Sequence, residues 1–187
     1  MKKLTGILVV IFMFSGIAFA GYETAPSAAP DKKEAPKTDA APKVASPEFE
    51  RIKSWAGKWE GTSSGHGPEE KVAVEYRVTS GGNAVEEKLF AGTPHEMVSM
   101  YYENKNGKVG MTHFCMIGNR PHLELKNADA AKLDFDWVPG GGVDPNEMHM
   151  HSLSVATPDK DHLTQTWTGF DKGQPTDSTI VTLTKVG

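Results

Sequence analysis

The stretch MVSMYYENKNGKVGMTHFCMIGNRPHLELK, residues 97–126, decides the fold. Apolar and polar residues alternate through it, the mark of strands with one face buried. Two turn signals interrupt the alternation. Asn106-Gly107 is the strongest short hairpin signal a sequence offers, and Gly118-Asn119 is the second. The stretch therefore predicts three antiparallel strands in a meander.

The same grammar runs outward in both directions. Val72, Val74, Tyr76 and Val78 alternate with Lys71, Glu75 and Arg77. Turns at Ser80-Gly81-Gly82-Asn83 and Gly92-Thr93-Pro94 lead through AVEEKLF to EMVSMYYE. Downstream, KLDFDWV, EMHMHSLSV, HLTQTWTGF and STIVTLTKV are separated by PGGGVDPN, Pro158-Asp159-Lys160 and Gly173-Gln174-Pro175. With the strand that begins near Trp59, this makes about ten antiparallel strands. Only one helix is expected, over 47–56, with Ser46 as N-cap, Pro47 at N1, and Phe49, Ile52 and Trp55 at helical spacing. The expected class is all-β. Consecutive hairpins favour an up-and-down barrel, which removes sheet edges, over a sandwich. About eight strands enclose an interior that side chains just fill, so ten strands predict an internal cavity.

A two-residue turn at Asn106-Gly107 would pair Tyr102 with Met111, Met100 with His113 and Val98 with Cys115. A three-residue loop at 118–120 would pair Cys115 with Leu123 and His113 with Leu125. It is preferred over a two-residue loop, which would leave Leu123 and Leu125 outside. This register places Met100, Tyr102, Met111, His113 and Cys115 on the inner face. Asn119 and Arg120 then sit at the rim, and Trp167, Trp137, Phe135 and Leu163 in the core or cavity lining.

The segment AGKWEG, 56–61, follows the short helix and opens the first strand. It resembles the G-x-W opening of lipocalins and other calycins, whose tryptophan closes the barrel base. Together with FAGTPHEMVSMYYENKNGKVGMTHFCMIGNRP and MHMHSLSV…DHLTQTWTGF, the chain resembles secreted bacterial lipocalin-like proteins with a T-H-(Tyr/Phe)-C…G-N-x-P hairpin. The likeness spans 47–187 and implies the fold rather than a chemistry. A related branch, the nitrobindin-like haem proteins, ligates iron through a histidine on the last strand. PTDSTIVTLTKVG contains none, and the final histidine is His162.

Three residue groups carry candidate chemistry. Cys115 reads chiefly as a small buried hydrophobe; as a nucleophile beside His113 it would need an orienting acid that the sequence does not supply. His113 is either a satisfied interior histidine or the polar handle that orients an apolar ligand. His149 and His151 alternate onto one strand face, at a spacing compatible with one metal ion, while Met148 and Met150 take the other. Copper or zinc would be the metal there, and haem is the alternative cofactor; none is required by the pattern. Of the adjacent Glu86 and Glu87, one must face inward and needs a partner, for which Arg77 and Arg120 are candidates. No P-loop, dinucleotide fingerprint, H-E-x-x-H or C-x-x-C occurs, so nothing here points to an enzyme.

The ends speak to location. Lys2 and Lys3, an apolar run and Ala18-Phe19-Ala20 form a secretory signal peptide over 1–20, too short for a transmembrane anchor. Position 21 is Gly, not a lipobox cysteine. Residues 21–46 are rich in Ala, Pro and Lys and read as a disordered linker, leaving 47–187 as the domain. Cleavage would remove two of the 20 basic residues and none of the 24 acidic ones, taking the net charge from −4 to −6. That balance gives no footprint for nucleic acid. The expectation is an exported, periplasmic barrel that holds a small apolar or amphipathic molecule through Met100, Tyr102, Met111, His113, Cys115, Trp167 and Arg120. A metal or haem binder, or a protein-interaction module with a filled barrel, are the alternatives.

Overall fold

The computed structural model describes residues 45–65 and 67–187. The signal peptide expected over 1–20 and nearly all of the linker expected over 21–46 lie outside the described residues.

Among the described residues the single α-helix is α1 (Pro47–Ser54). The Ser46 hydroxyl accepts from the Phe49 N–H at 3.2 Å, Pro47 starts the first turn, and Trp55 closes the last. The helix is two residues shorter than its periodicity suggests. Ten strands follow: β1 (Gly57–Gly65), β2 (Gly67–Thr79), β3 (Ala84–Leu89), β4 (Met97–Glu103) and β5 (Val109–Phe114). The remaining five are β6 (His122–Ala128), β7 (Lys132–Trp137), β8 (His149–Ala156), β9 (His162–Asp171) and β10 (Gln174–Val186). Each pairs antiparallel with its sequence neighbours, and β1 pairs with β10 from Lys58↔Val186 to Ser64↔Ile180. The sheet is a closed ten-stranded up-and-down barrel, not a sandwich.

Along the seam β10 approaches β1 closely at Gly61 and again at Gly65. A Cβ on Gly61 would lie 2.8 Å from the Thr182 carbonyl carbon and closer still to its oxygen. Only glycine lets β10 pass there.

The helix covers the end where β1 begins. Phe49, Ile52 and Trp55 are buried on Trp59, Tyr76 and Tyr101, with ring centroids 5.6 Å (Trp55–Tyr76) and 6.1 Å (Trp55–Tyr101) apart at steep angles. The Trp59 indole N–H donates to the Trp55 carbonyl at 2.8 Å. Leu133, Phe135, Leu153, Leu163 and Leu183 fill the barrel above this floor. Side chains therefore occupy most of the interior, and the space left over is smaller than ten strands alone predict.

The hairpins at 97–126 correct the expected register. Asn104 and Lys108 flank a three-residue loop, not a two-residue turn: the Asn104 N–H donates to the Lys108 carbonyl at 2.9 Å, and Gly107 adopts φ 80°. Asn104 Oδ1 fixes that loop by accepting from the N–H groups of Asn106 (2.9 Å) and Lys108 (3.1 Å). The extra residue shifts the pairing by one, to Ser99↔His113 and Tyr101↔Met111. Val98, Met100 and Tyr102 therefore turn outward. The second loop also has three residues, at 116–118 rather than 118–120, with Gly118 at φ 91°. Met111 pairs with Leu123 instead of Cys115, a shift of four that leaves each residue on its expected face.

Candidate functional site

The barrel interior is stratified along its axis. The aromatic floor is at the helix end. A polar layer crosses the middle, and a cavity of ≈ 230 Å³ opens at the far end. The cavity sits where β1, β3 and β5 finish and β2, β4 and β8 begin. Its wall is mainly Leu89, Phe90, Met97, Met116, Met150 and Trp167, with Ser63, Ser64, Glu70, His113 and Thr179 as polar members. Met116 is 58 % exposed at the tip of the β5–β6 hairpin, which marks the mouth. A larger crevice of ≈ 570 Å³ lies outside the barrel floor among Arg51, Lys160, Asp161 and Lys185. It is a gap between charged surface side chains, and the smaller interior cavity is the better candidate for selective binding.

His113 links cavity and polar layer. It is 1 % exposed, its ring lies 4.8 Å from that of Trp167, and its Nδ1 is 3.0 Å from the Ser99 hydroxyl. Its Nε2 is buried without a protein partner. Burial lowers its pKa from 6.5 to about 4, so the ring is neutral at ordinary pH.

Behind Ser99 stands Glu87, fully buried with no cation against it. It accepts hydrogen bonds from Tyr76 (2.8 Å), Tyr101 (3.0 Å) and the Gln165 amide. The expected arginine partner is not used: Arg77 pairs with Glu86 on the outer surface at 2.6 Å, and Arg120 is exposed. Burial raises the Glu87 pKa, and the hydrogen bonds from Gln165, Tyr76, Ser99 and Tyr101 oppose it. Burial, followed by the Glu87 charge, raises the Tyr76 and Tyr101 pKa values well above 10, so both remain donors.

The residues singled out from sequence are dispersed. His113 and Trp167 line the cavity; Met111 is fully buried below it. Cys115 is half-buried, its sulfur 4.0 Å from that of Met97. Met100 and Tyr102 lie on the outer face, Tyr102 stacked on His122 at 6.0 Å. Arg120 does not line the cavity, whereas Asn119 beside it is buried and donates to the Met148 carbonyl at 2.6 Å.

His149 and His151 come together away from the cavity, beside Trp137 and Phe170. His149 Nδ1 is 2.6 Å from the Glu147 carbonyl, which can only accept, so that nitrogen carries the proton. Its Nε2 then accepts from His151 Nδ1 at 3.1 Å. In this state the pair offers one free nitrogen, on His151. No group of three or more His, Cys, Asp or Glu side chains placed to hold a metal is present among the described residues.

Sequence reading passed over several cavity and network residues. Gln165 shares its strand parity with Leu163 and Trp167, and Ser99 with Tyr101; that alternation was the available signal. Gly61-Thr62-Ser63-Ser64-Gly65 also fits the G-x-S-x-G spacing of a nucleophile elbow. Here it lies in strand β1, paired on both sides, not on a strand-to-helix turn. Ser63 lines the cavity, yet its hydroxyl is outside hydrogen-bond reach of His113.

No protein-family model matches the chain, and no curated protein matches it. Among solved structures it is similar to a protein of unknown function from the DUF3598 family of Nostoc punctiforme, at 12 % identity and a TM-score of 0.48. That match covers 72 % of this chain and 49 % of the other, so the chain spans about half the length of that neighbour. A redesigned β-barrel matches at 11 % identity and a TM-score of 0.36, over 73 % of this chain and 95 % of the design.

Proposed function

We propose that this chain is an exported, lipocalin-like binding protein that holds a small apolar or amphipathic molecule in the cavity at the open end of its barrel. One observation carries the reading: a mainly apolar cavity of ≈ 230 Å³ is lined in part by His113, whose Nε2 is buried without a partner. A buried polar atom without a partner costs about 1–3 kcal/mol, and an occupant that bonded His113 Nε2 would remove that cost. Apolar walls supply affinity and one placed polar atom supplies orientation, the usual division of labour in small-molecule pockets. The signal peptide at 1–20 and the linker at 21–46 support export, with the domain held on a tether.

Native mass spectrometry of the protein purified from its own host tests the reading. A non-covalent mass excess is expected in the wild type and is lost in Met150→Trp, which fills the cavity. An excess that survives Met150→Trp, or none in either chain, refutes it.

One observation favours a second reading. Phe114, Met116 and Ile117 are 43 %, 58 % and 55 % exposed around the β5–β6 hairpin tip, an apolar surface suited to a protein partner. The same experiment separates the two, since an interaction module carries no small molecule. For metal or haem the support is weaker, because His149 and His151 are hydrogen-bonded to each other.

A further inference from the structure

Two titratable side chains line the cavity, Glu70 and His113. His113 takes a proton only near pH 4, which leaves Glu70 as the charged member of the wall at ordinary pH. Its place follows from the alternation of β2. Glu70 stands in line with Val72, Val74 and Tyr76, all buried inside the barrel, so its side chain is on the inner face. Register agrees. Glu70 pairs with Ser63 of β1, and cross-strand partners share a face; Ser63 is buried and lines the same cavity. The preceding acid, Glu69, falls on the opposite face and lines no part of the cavity.

Unlike the inward residues further along β2, Glu70 is exposed, because it lies beyond the packed core where the barrel opens to water. Among the described residues no lysine or arginine pairs with it. Acids on the outer surface are held differently: Glu86 pairs with Arg77, and Glu124 with Lys108. Arg120, the cation expected at the rim, is not part of the cavity wall. The mouth therefore joins a mainly apolar interior to one fixed negative charge at the water boundary, with no positive charge in the wall to oppose it.

From this arrangement we infer that the cavity takes a cationic amphiphile, whose apolar body enters among Leu89, Met97, Met150 and Trp167 and whose ammonium head stays at the mouth against Glu70. This rests on the binding reading above and names the ligand class for the same cavity. At about 30 Å³ for each methylene-sized group, ≈ 230 Å³ holds about eight of them, so an octyl chain is a matched probe. A carboxylate head would meet a like charge with no cation to offset it. A neutral head would gain a hydrogen bond at most. Because the head keeps much of its water, the selectivity is modest and weakens as salt screens it.

Calorimetry at neutral pH and low salt with octylammonium, n-octanol and octanoate tests it. Octylammonium is expected to bind about tenfold more tightly than octanoate, the joint effect of one attraction and one repulsion at a partly exposed charge, with n-octanol between them. Equal affinities, or a preference for octanoate, overturn the inference and leave the cavity as a binding site. No binding of any of the three overturns the inference; joined to an absent mass excess in the native protein, it overturns the binding reading as well.

Two variants locate the charge, at positions whose exposure leaves the core undisturbed. Glu70→Gln keeps the size of the side chain and should reduce the preference to less than about threefold. Glu69→Gln removes the same charge from the outer face one residue away and should retain most of it. A preference that survives Glu70→Gln, or that falls equally in both variants, overturns the role of Glu70.

Discussion

His113 should make the protein lose stability on acidification, in a window its environment sets. In the unfolded chain this ring takes a proton near pH 6.5, while in the folded barrel burial delays that to about pH 4. Between those values the unfolded state binds more protons than the folded one, so stability falls as pH falls. At about 1.4 kcal/mol per pH unit, the gap amounts to about 3 kcal/mol, all of it lost by pH 4. Glu87 acts in the opposite sense. Its carboxyl ionises later in the barrel than in the unfolded chain, so its contribution to stability rises as pH falls through its own window toward 4.5. Wild-type stability alone therefore shows a blunted slope. The comparison that isolates His113 is with His113→Gln, which keeps a polar group beside Ser99 but does not titrate, while Glu87 is common to both chains. Urea unfolding followed by tryptophan fluorescence at several pH values gives the two stabilities. Relative to His113→Gln, the wild type should lose about 3 kcal/mol between pH 7 and pH 4. A difference constant to within about 0.5 kcal/mol would mean that the folded ring takes its proton from water freely, and that the closed, apolar setting described for it is wrong.

Three further outcomes follow from the packing and one from the expected signal peptide. Gln165→Leu removes the acceptor of the Trp167 indole and a donor to Glu87, and should cost about 3 kcal/mol in urea; a loss below about 1 kcal/mol would show that water replaces the amide. Gly61→Ala drives a methyl into the Thr182 carbonyl and should lower the thermal midpoint sharply or abolish soluble barrel, where Thr62→Ala next to it should do neither. Leu153→Ala, at a site 1 % exposed, should cost about 3 kcal/mol in chemical denaturation, against less than about 0.5 kcal/mol for Ile180→Ala on the 43 % exposed outer face. Expression of the full chain in a bacterial host should yield a periplasmic product whose first residue is Gly21; a product that retains Met1 in the cytoplasm would refute the export reading.

The fold was legible because its signals repeat. Alternation and turn residues recur along ten segments, and an error in one turn does not change the number of strands or their sequential pairing. Register was less legible, because it hangs on a single loop length. Asn106-Gly107 invites a two-residue turn, and what lengthens it is the Asn104 side chain, which reaches forward to two backbone N–H groups. That one added residue sends Met100 and Tyr102 outward and brings Ser99 and Tyr101 inward. In the second hairpin the loop was misplaced by an even number, so Met111, His113 and Leu123 kept the faces their alternation implied. The polar layer was hidden for a different reason. A glutamine or serine within an alternating strand is ordinarily assigned to solvent, and Gln165 and Ser99 contradict that by sitting in line with Trp167 and Tyr101.

That contradiction is also the strongest physical reason to place function at the open end. A carboxylate buried without a cation, two buried phenols and a glutamine make an expensive way to fill the middle of a barrel; apolar side chains of similar volume commonly give equal or greater stability. Below this layer the floor is built the cheap way, from Phe49, Ile52, Trp55 and Trp59. The polar groups occur only where the interior passes from packed core to cavity, and each of their hydrogen bonds is directed inward to Glu87 or held in line by Trp167. At its upper edge the layer meets His113, whose ring is held by Ser99 on one edge and Trp167 against its face and whose Nε2 is buried without a partner. The layer thus ends in one imidazole held at a fixed position in the wall of a mainly apolar cavity, the kind of placed polar group that selective binding uses.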